Sequence, residues 1–426
     1  MSLYDKASLI QIPSGYKAGK LYSVIPNSGA GDFTVTGDPE GEATRVNPQG
    51  LIENVSANVP RLDYPFIDGE VQDCPHLLLE PQRTNLILYS EEFSGSNWVT
   101  LNTLINSDTV ISPNGTMTAN TLQRTSTSAS YRSHNISKSA SAITYTTSAF
   151  IKKGSDDYFS MRAQGSYPSR ADFRFRFDTE EIYYTQAFSN FTILDYGVEN
   201  YSNGWYRLHF TYTSDTHTNL SITFSPRSTD GNIDNTDTSD NSFAYVWGAQ
   251  LEAGSYPTSY IPTVASSVTR TIDNAHLLNH SLFTDYPFTV YAKAEVKAIP
   301  NDFFSLVDNT SSEKYLLFQL SGATQISVHR RNSITNDSDY YYFSYSIGDT
   351  LKVAISYISA TAYKLYINGT QIGNVTSGSS LPFAYPDIIL GQQRVTSDTG
   401  RRNPISEFLV FSEALSDSEL ETLTTL

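Results

Sequence analysis

Val246-Trp247-Gly248-Ala249-Gln250-Leu251-Glu252-Ala253-Gly254-Ser255-Tyr256-Pro257-Thr258-Ser259-Tyr260-Ile261-Pro262-Thr263 joins a buried-type strand to a fixed exit turn. Gly254 and Pro257 end the ladder that the strand begins, because glycine weakens a strand and proline removes a donor. Such a strand closes a β-sandwich. Upstream, from Asn85 to about Ala265, short alternating runs are joined by polar turns. Thr144 to Ile151 places Tyr145, Thr147, Ala149 and Ile151 on one face, Asp172 to Asp178 alternates Phe with Arg, and Gly204 launches Trp205 to Tyr212. Strands at this spacing build a sandwich.

Composition agrees. The 426 residues include 29 Tyr and 22 Phe with few helix-favouring runs, which suits pleated, half-buried surfaces. The length calls for more than one core. A net charge of -16 argues against nucleic acid as a partner, since phosphate-tracking proteins carry a basic face. No apolar run reaches the roughly 20 residues that span a bilayer, and Met1 to Lys6 opens neither a signal nor a transit peptide, so the chain reads as soluble with no membrane insertion. Cys74 is alone, which excludes an intrachain disulfide and fits folding in a reducing cytoplasm.

Residues 1–85 differ from the rest of the chain. Extended pieces such as Ser8 to Ile12 are interrupted by Pro13, Pro26, Pro39, Pro48, Pro60 and Pro65, while Leu21, Tyr22, Val24, Ile25, Leu51, Ile52, Leu62 and Tyr64 offer apolar anchors. The segment reads as an arm that lies on another surface. Residues 264–281, rich in Ser, Thr and Asn, read as a linker. Beyond it, Ala362 to Ile372 runs through Asn368-Gly369, the dipeptide of tight hairpins, and Leu351 to Tyr357 alternates. Ser416 and Glu419 form a capping box, with Leu415 placed to staple Leu420, so a short helix closes the chain.

Three stretches carry a family resemblance. The WGAQLE…G…TSYIPT motif of Trp247 to Thr263 resembles the terminal strand of carbohydrate-binding-like jelly rolls in bacteriophage tail-fibre and other virion proteins. Ile12 to Tyr22, Ala43 to Asn47 and Pro60 to Tyr64, followed by Leu77 to Leu86, are similar to the leading segment of phage structural proteins. The Leu365 to Gly369 hairpin with Ile405 to Leu420 resembles the laminin-G or concanavalin A-like lectin/glucanase superfamily. The resemblance implies an all-β chain of two tandem antiparallel β-sandwiches, a jelly roll at 86–265 and a concanavalin A-like sandwich at 275–426, preceded by an extended N-terminal docking arm at 1–85.

Candidate chemistry is sparse. Gly15 to Leu21 has three residues between its glycines where a phosphate loop needs four, and Leu21 where Ser or Thr would hold magnesium, so it reads as a turn. Retaining glycoside hydrolysis needs two carboxylates about 5 Å apart. Glu91-Glu92 and Glu180-Glu181 are adjacent and point to opposite faces of a strand, while Asp417, Glu419 and Glu421 fall in the terminal helix. Gln325, Ser327 and His329 share a strand face without a matching Tyr and Lys pattern for a lyase. We therefore assign no catalytic residue. Asp230 to Asp240 is dense in oxygen ligands but lacks EF-hand spacing, so it reads as a solvated acidic loop; no cofactor is expected beyond a structural calcium ion of the kind jelly-roll glycan binders often contain.

Sugar recognition needs an aromatic platform with planar hydrogen-bonding groups at its rim. The resemblance places Trp98, Trp205 and Trp247 at core or turn positions, in keeping with the usual burial of Trp. Tyr167 and Arg170, and the run Tyr340, Tyr341 and Tyr342, sit in polar surroundings and are the glycan-binding candidates. The expected protein is a non-enzymatic bacteriophage virion adhesin of tail-fibre or head-fibre type, assembled in the host cytoplasm. Residues 1–85 would meet other virion proteins, host-surface polysaccharide would be the ligand, and a homotrimer would multiply weak sites. The alternative is a non-binding capsid decoration, cement or neck protein. A polysaccharide depolymerase would need a catalytic set that these residues do not present.

Overall fold

The computed structural model describes residues 2–283, 285–308, 314–331, 336–378, 385–392 and 403–426. Two antiparallel sandwiches dominate it, and the regular helix among the described residues is the short C-terminal one.

The first sandwich packs two six-stranded sheets. One runs Trp98–Leu101, Tyr131–Ser137, Asn219–Arg227, Tyr158–Gln164, Arg170–Arg176, Glu181–Phe188; the other runs Thr103–Val110, Ala119–Arg124, Phe243–Ala253, Thr144–Lys153, Trp205–Thr213, Thr192–Tyr201. Alternation sends Phe159, Phe173 and Phe224 from the first sheet and Ile151, Phe210 and Val246 from the second into one core.

Strand Phe243–Ala253, which carries the Trp247-Gly248 pair, lies in the middle of its sheet. Ser148 pairs with Gln250 but Phe150 pairs with Trp247, so the strand carries a bulge at Gly248, whose φ is 60°. A Cβ there would meet the Phe150 ring at 2.9 Å, which explains the glycine. The bulge turns Ala249 and Leu251 into the core and leaves Gln250 and Glu252 on the outer face. There they hold the returning chain. Gln250 Oε1 accepts from the Ile261 N–H at 2.7 Å, and Glu252 accepts from the N–H and hydroxyl of Thr258 at 2.9 and 2.7 Å. Trp98, Trp205 and Trp247 are all buried.

The second sandwich packs an eight-stranded against a nine-stranded sheet. Here the structure corrects the reading of residues 1–85 and of 264–281. Leu9–Gln11 pairs with Ile405–Phe411, Leu9 opposite Val410, and His76–Leu77 pairs with that strand at Ile405. Lys20–Leu21 and Phe33–Thr36 extend the other sheet through Asn274–Leu277. Leu9, Leu21, Phe33, Val35, Leu62, Leu77 and Leu79 share one core with Phe304, Val353 and Phe408. Of the anchors expected from sequence, Leu21 and Leu62 thus lie in the chain's own second sandwich, because short strands that proline keeps from forming a sheet alone can still complete one, while Tyr22 and Val24 stay exposed. The supposed linker is also ordered: Val268–Arg270 pairs with Arg83–Asn85, Asn85 opposite Val268. The first sandwich is therefore an insertion between two neighbouring strands.

Between the two sandwiches the hairpin Thr44–Val46 and Ile52–Asn54 rests on the first, where Ile52 packs with Trp205 and Trp247. Beneath it lies a buried charge cluster. Glu80 meets Arg61 at 2.8 Å and also pairs with Arg270, while Asp273 pairs with Arg61.

Candidate functional site

Strand Arg170–Arg176 alternates as its sequence suggests. Ala171, Phe173 and Phe175 enter the core, which puts Arg170, Asp172, Arg174 and Arg176 on the opposite face. The edge strand Glu181–Phe188 brings Phe188 opposite Arg170, Gln186 opposite Asp172 and Tyr184 opposite Arg174. Cross-strand neighbours on one face are in contact range. The Arg170 guanidinium accordingly lies 4.1 Å from the Phe188 ring centroid and 5.5 Å from that of Tyr167, and Arg174 lies 3.9 Å from that of Tyr184.

Arg170 departs from its expected place. It is buried at the start of a strand, not projected from a loop, because Asp172 holds its Nε at 3.1 Å while two rings cover its planar faces. Tyr167 stays 72% exposed on the Gly165–Ser169 turn. Next to them, Asp172 binds Arg162 and accepts from Asn232 at 3.0 Å. The result is an aromatic ledge beside fixed amide, carboxylate and guanidinium groups. Phe188, Gln186 and Tyr184 were missed from sequence, since their arrival here depends on a register shift between Arg174 and Phe175, and Asn232 was missed because it reaches Asp172 from a loop distant in sequence.

The second group is split by the pleat. Tyr340, Tyr341 and Tyr342 lie on edge strand Asn336–Tyr342, not in a loop. Tyr340 and Tyr342, 53% and 78% exposed, stand opposite Ser327 and Gln325. Tyr341 points inward and its hydroxyl meets that of Tyr363 at 2.6 Å. His329 lies on the outer face with its Nδ1 2.6 Å from the Ser338 hydroxyl and its Nε2 2.9 Å from that of Ser327. Burial pushes the His329 imidazole below its ordinary range, towards the neutral form. Tyr340, Tyr342, Gln325 and His329 thus make a second aromatic and polar face.

The acidic loop does not fit a calcium ion. Asp230 pairs with Arg174 and Asp234 with Arg162, both at 2.9 Å, while Asp237 lies between Arg124 and Arg227 at 3.6 and 3.7 Å. Its carboxylates therefore brace the arginine face. Nor are the paired glutamates alike: Glu180 accepts from Tyr206 at 2.9 Å and Asn200 at 3.0 Å, and burial raises the Glu91 carboxyl although Tyr260 and Trp247 donate towards it.

The fold and these faces define an all-β protein built of antiparallel sandwiches, and residues 270–421 match the model of the concanavalin A-like lectin/glucanases superfamily. No curated protein matches the chain. Among solved structures, the CBM40 of the Ruminococcus gnavus IT-sialidase bound to α2,3 sialyllactose is similar, at 16% identity over 34% of this chain and 84% of that one, with a TM-score of 0.31. Domain 4 of AbnA, a GH43 extracellular arabinanase from Geobacillus stearothermophilus in complex with arabinotriose, is 15% identical over 40% of this chain and 81% of that one, with a TM-score of 0.30. The botulinum neurotoxin serotype D/C binding domain is 15% identical over 36% of this chain and 40% of that one, at 0.28. Likenesses at this level carry nothing about ligand.

Proposed function

We propose that this chain binds glycans without cleaving them, as a fibre-type adhesin of a bacteriophage virion displaying its sandwiches to host-surface polysaccharide. The observation that carries the reading is that each sandwich presents exposed tyrosine beside fixed hydrogen-bonding groups: Tyr167 with Arg170 and Asn232 on the first, Tyr340 and Tyr342 with Gln325 and His329 on the second. An aromatic ring takes the apolar face of a sugar while planar groups read its hydroxyls. The superfamily match over 270–421 supports the same class of ligand. Sites of this openness bind weakly. A millimolar site is worth about 4 kcal/mol, so a homotrimer would gain by repetition. Contact with other virion proteins falls to what residues 1–85 leave outside the core, such as Tyr22, Val24 and Ile67, each more than 40% exposed.

The test is retention of the full chain on an array of glycans and bacterial-surface polysaccharides, with calcium and with chelator, while released sugar is measured. Retention without release, lost in Tyr167→Ala or Tyr342→Ala, is the expected result. Absence of binding in both conditions would favour a decoration, cement or neck role, and released sugar would make the chain a depolymerase.

A further inference from the structure

A cavity of about 440 Å³ opens on the outer face of the first sandwich, where three turns meet over Trp205. Gly50 and Leu51 of the N-terminal hairpin, loop 111–117 and the short helical turn Ser202–Gly204 line it. Each wall is tied to its neighbour. The Ile52 N–H donates to the Pro113 carbonyl at 3.0 Å, and a Cβ at Gly115 would meet Leu51 Cδ1 at 3.0 Å. A Cβ at Gly50 would meet the Ser202 hydroxyl at 3.1 Å, and Trp205 Nε1 donates to the Ile111 carbonyl at 3.1 Å. The site is therefore formed before any ligand arrives, and its volume is that of a small-ligand pocket.

Most of the lining is hydrocarbon or ring, from Leu51, Val110, Ile111, Pro113, Met117 and Trp205, while Ser202 and Asn203 add neutral polar groups. Ile111 and Met117 are 54% and 55% exposed, so water covers apolar surface that a ligand could take from it. Among the described residues the lining holds no carboxylate, and its one cation is Lys152. Strand Thr144–Lys153 sends Ile151 into the core, so Lys152 stands on the outer face, opposite Trp205 on the neighbouring strand. Its stem runs past the helical turn, where a Cβ at Gly204 would lie 3.9 Å from Lys152 Cε. Lys153 beside it pairs with Asp157, but Lys152 has no hydrogen-bond or ion-pair partner among the described residues. The chain carries 44 Asp and Glu against 28 Lys and Arg, and still this ammonium is left uncommitted.

An apolar pocket with one uncommitted cation and no anion complements a molecule of opposite design, an apolar body that ends in a single negative charge. We propose that this cavity binds an alkyl carboxylate, at a site separate from the two tyrosine faces. The alkyl chain lies against Leu51, Ile111 and Met117 over Trp205, and the carboxylate meets the Lys152 ammonium. Met117 is unbranched and adapts to a flexible chain. An ammonium acts as a point charge, so the site selects the sign of the head group and the apolar walls select the tail.

The experiment is calorimetric titration of the full chain at neutral pH with decanoate, decan-1-ol and decyltrimethylammonium, each kept below its micelle concentration, and in parallel with phosphatidylglycerol vesicles. Decanoate should bind about tenfold more tightly than the alcohol, a difference of about 1.4 kcal/mol, and the quaternary ammonium should bind least. Lys152→Met keeps the stem without the charge and should bring decanoate down to the level of the alcohol, whereas Lys152→Arg should retain the preference. Met117→Gln should weaken acid and alcohol alike, and circular dichroism should show an unchanged fold in all three variants. Tyr167→Ala should leave decanoate binding intact while weakening retention on the glycan array, which separates this site from the first tyrosine face. Equal binding of acid and alcohol, indifference to Lys152→Met, or no binding of decanoate would each overturn the proposal. Vesicle binding that Met117→Gln abolishes would also overturn it, by assigning Ile111 and Met117 to a bilayer surface.

Discussion

Asn85 holds two distant motifs together. Its amide donates to the carbonyls of Ala249 and Ile261 at 3.1 and 2.8 Å, and its oxygen accepts from the N–H of Leu251 and of Ile87, both at 3.1 Å. The residue is fully buried, so each lost bond strands a polar group away from water. Asn85→Ala should lower stability by roughly 2–4 kcal/mol in urea unfolding, and Asn85→Asp should not restore it, because a carboxylate cannot donate to the two carbonyls. Glu80 gives a pH signature. Burial works to raise its carboxyl, but Arg270 and Arg61 overcome this and hold it down to about 2. A depressed folded value means that the stabilisation is complete above the unfolded value of 4.5 and is lost as pH falls towards 2. The loss should amount to roughly 3 kcal/mol over that window. Glu80→Gln should destabilise by about 3–5 kcal/mol at neutral pH, since it leaves buried guanidinium charge uncompensated, and should flatten the acid limb of the stability profile.

At the scale of the element, local signals did well where the chemistry is local. Asn368 and Gly369 adopt φ of 47° and 77° between Ala362–Ile367 and Thr370–Val375, the two positive values of a tight hairpin. Gly369→Val should cost about 1 kcal/mol or more, read as a lower thermal midpoint, because a β-branched residue resists that conformation. At the C-terminus, Glu419 accepts from the Ser416 N–H at 2.9 Å and its hydroxyl at 2.7 Å, and Leu415 and Leu420 share a buried cluster. The capping box, the staple, the hairpin and the burial of the three tryptophans were all readable in the sequence, since each needs only a few neighbouring residues or a residue's own apolar bulk. Arg170 was not. Its place depends on which residue of Glu181–Phe188 lies opposite it, and a register shift decides that. Tyr341 was misread for a related reason: a run of three tyrosines looks uniform until a strand's two-residue period sends the middle one inward. Nor does any local pattern announce that Leu9 will pair with Val410.

That long-range pairing governs the whole molecule. Asn85 and Val268 are partners in a two-stranded ladder of their own, so the chain enters and leaves the first sandwich at points about 5 Å apart. Everything between them carries its own core, from Ile87 to Leu251. Apart from the hairpin on the first sandwich, the buried apolar residues of 1–85 belong energetically to the other body. Leu9, Leu21, Phe33, Val35, Leu62, Leu77 and Leu79 are buried against it, and at roughly 1.5–3 kcal/mol for each side chain their removal forfeits on the order of 10–20 kcal/mol. That exceeds the roughly 5–15 kcal/mol by which a domain is ordinarily stable. A fragment starting at residue 275 should therefore fail to fold alone, although residues 270–421 are what the superfamily model matches. A chain in which a short glycine-serine linker replaces residues 86–267 should fold, because it keeps both sheets and joins neighbours. Residues 86–265 alone should also unfold cooperatively. Scanning calorimetry of the three proteins decides the matter: a cooperative transition in the fragment from residue 275, or none in the joined chain, would mean that the N-terminal strands only decorate a sandwich that stands without them.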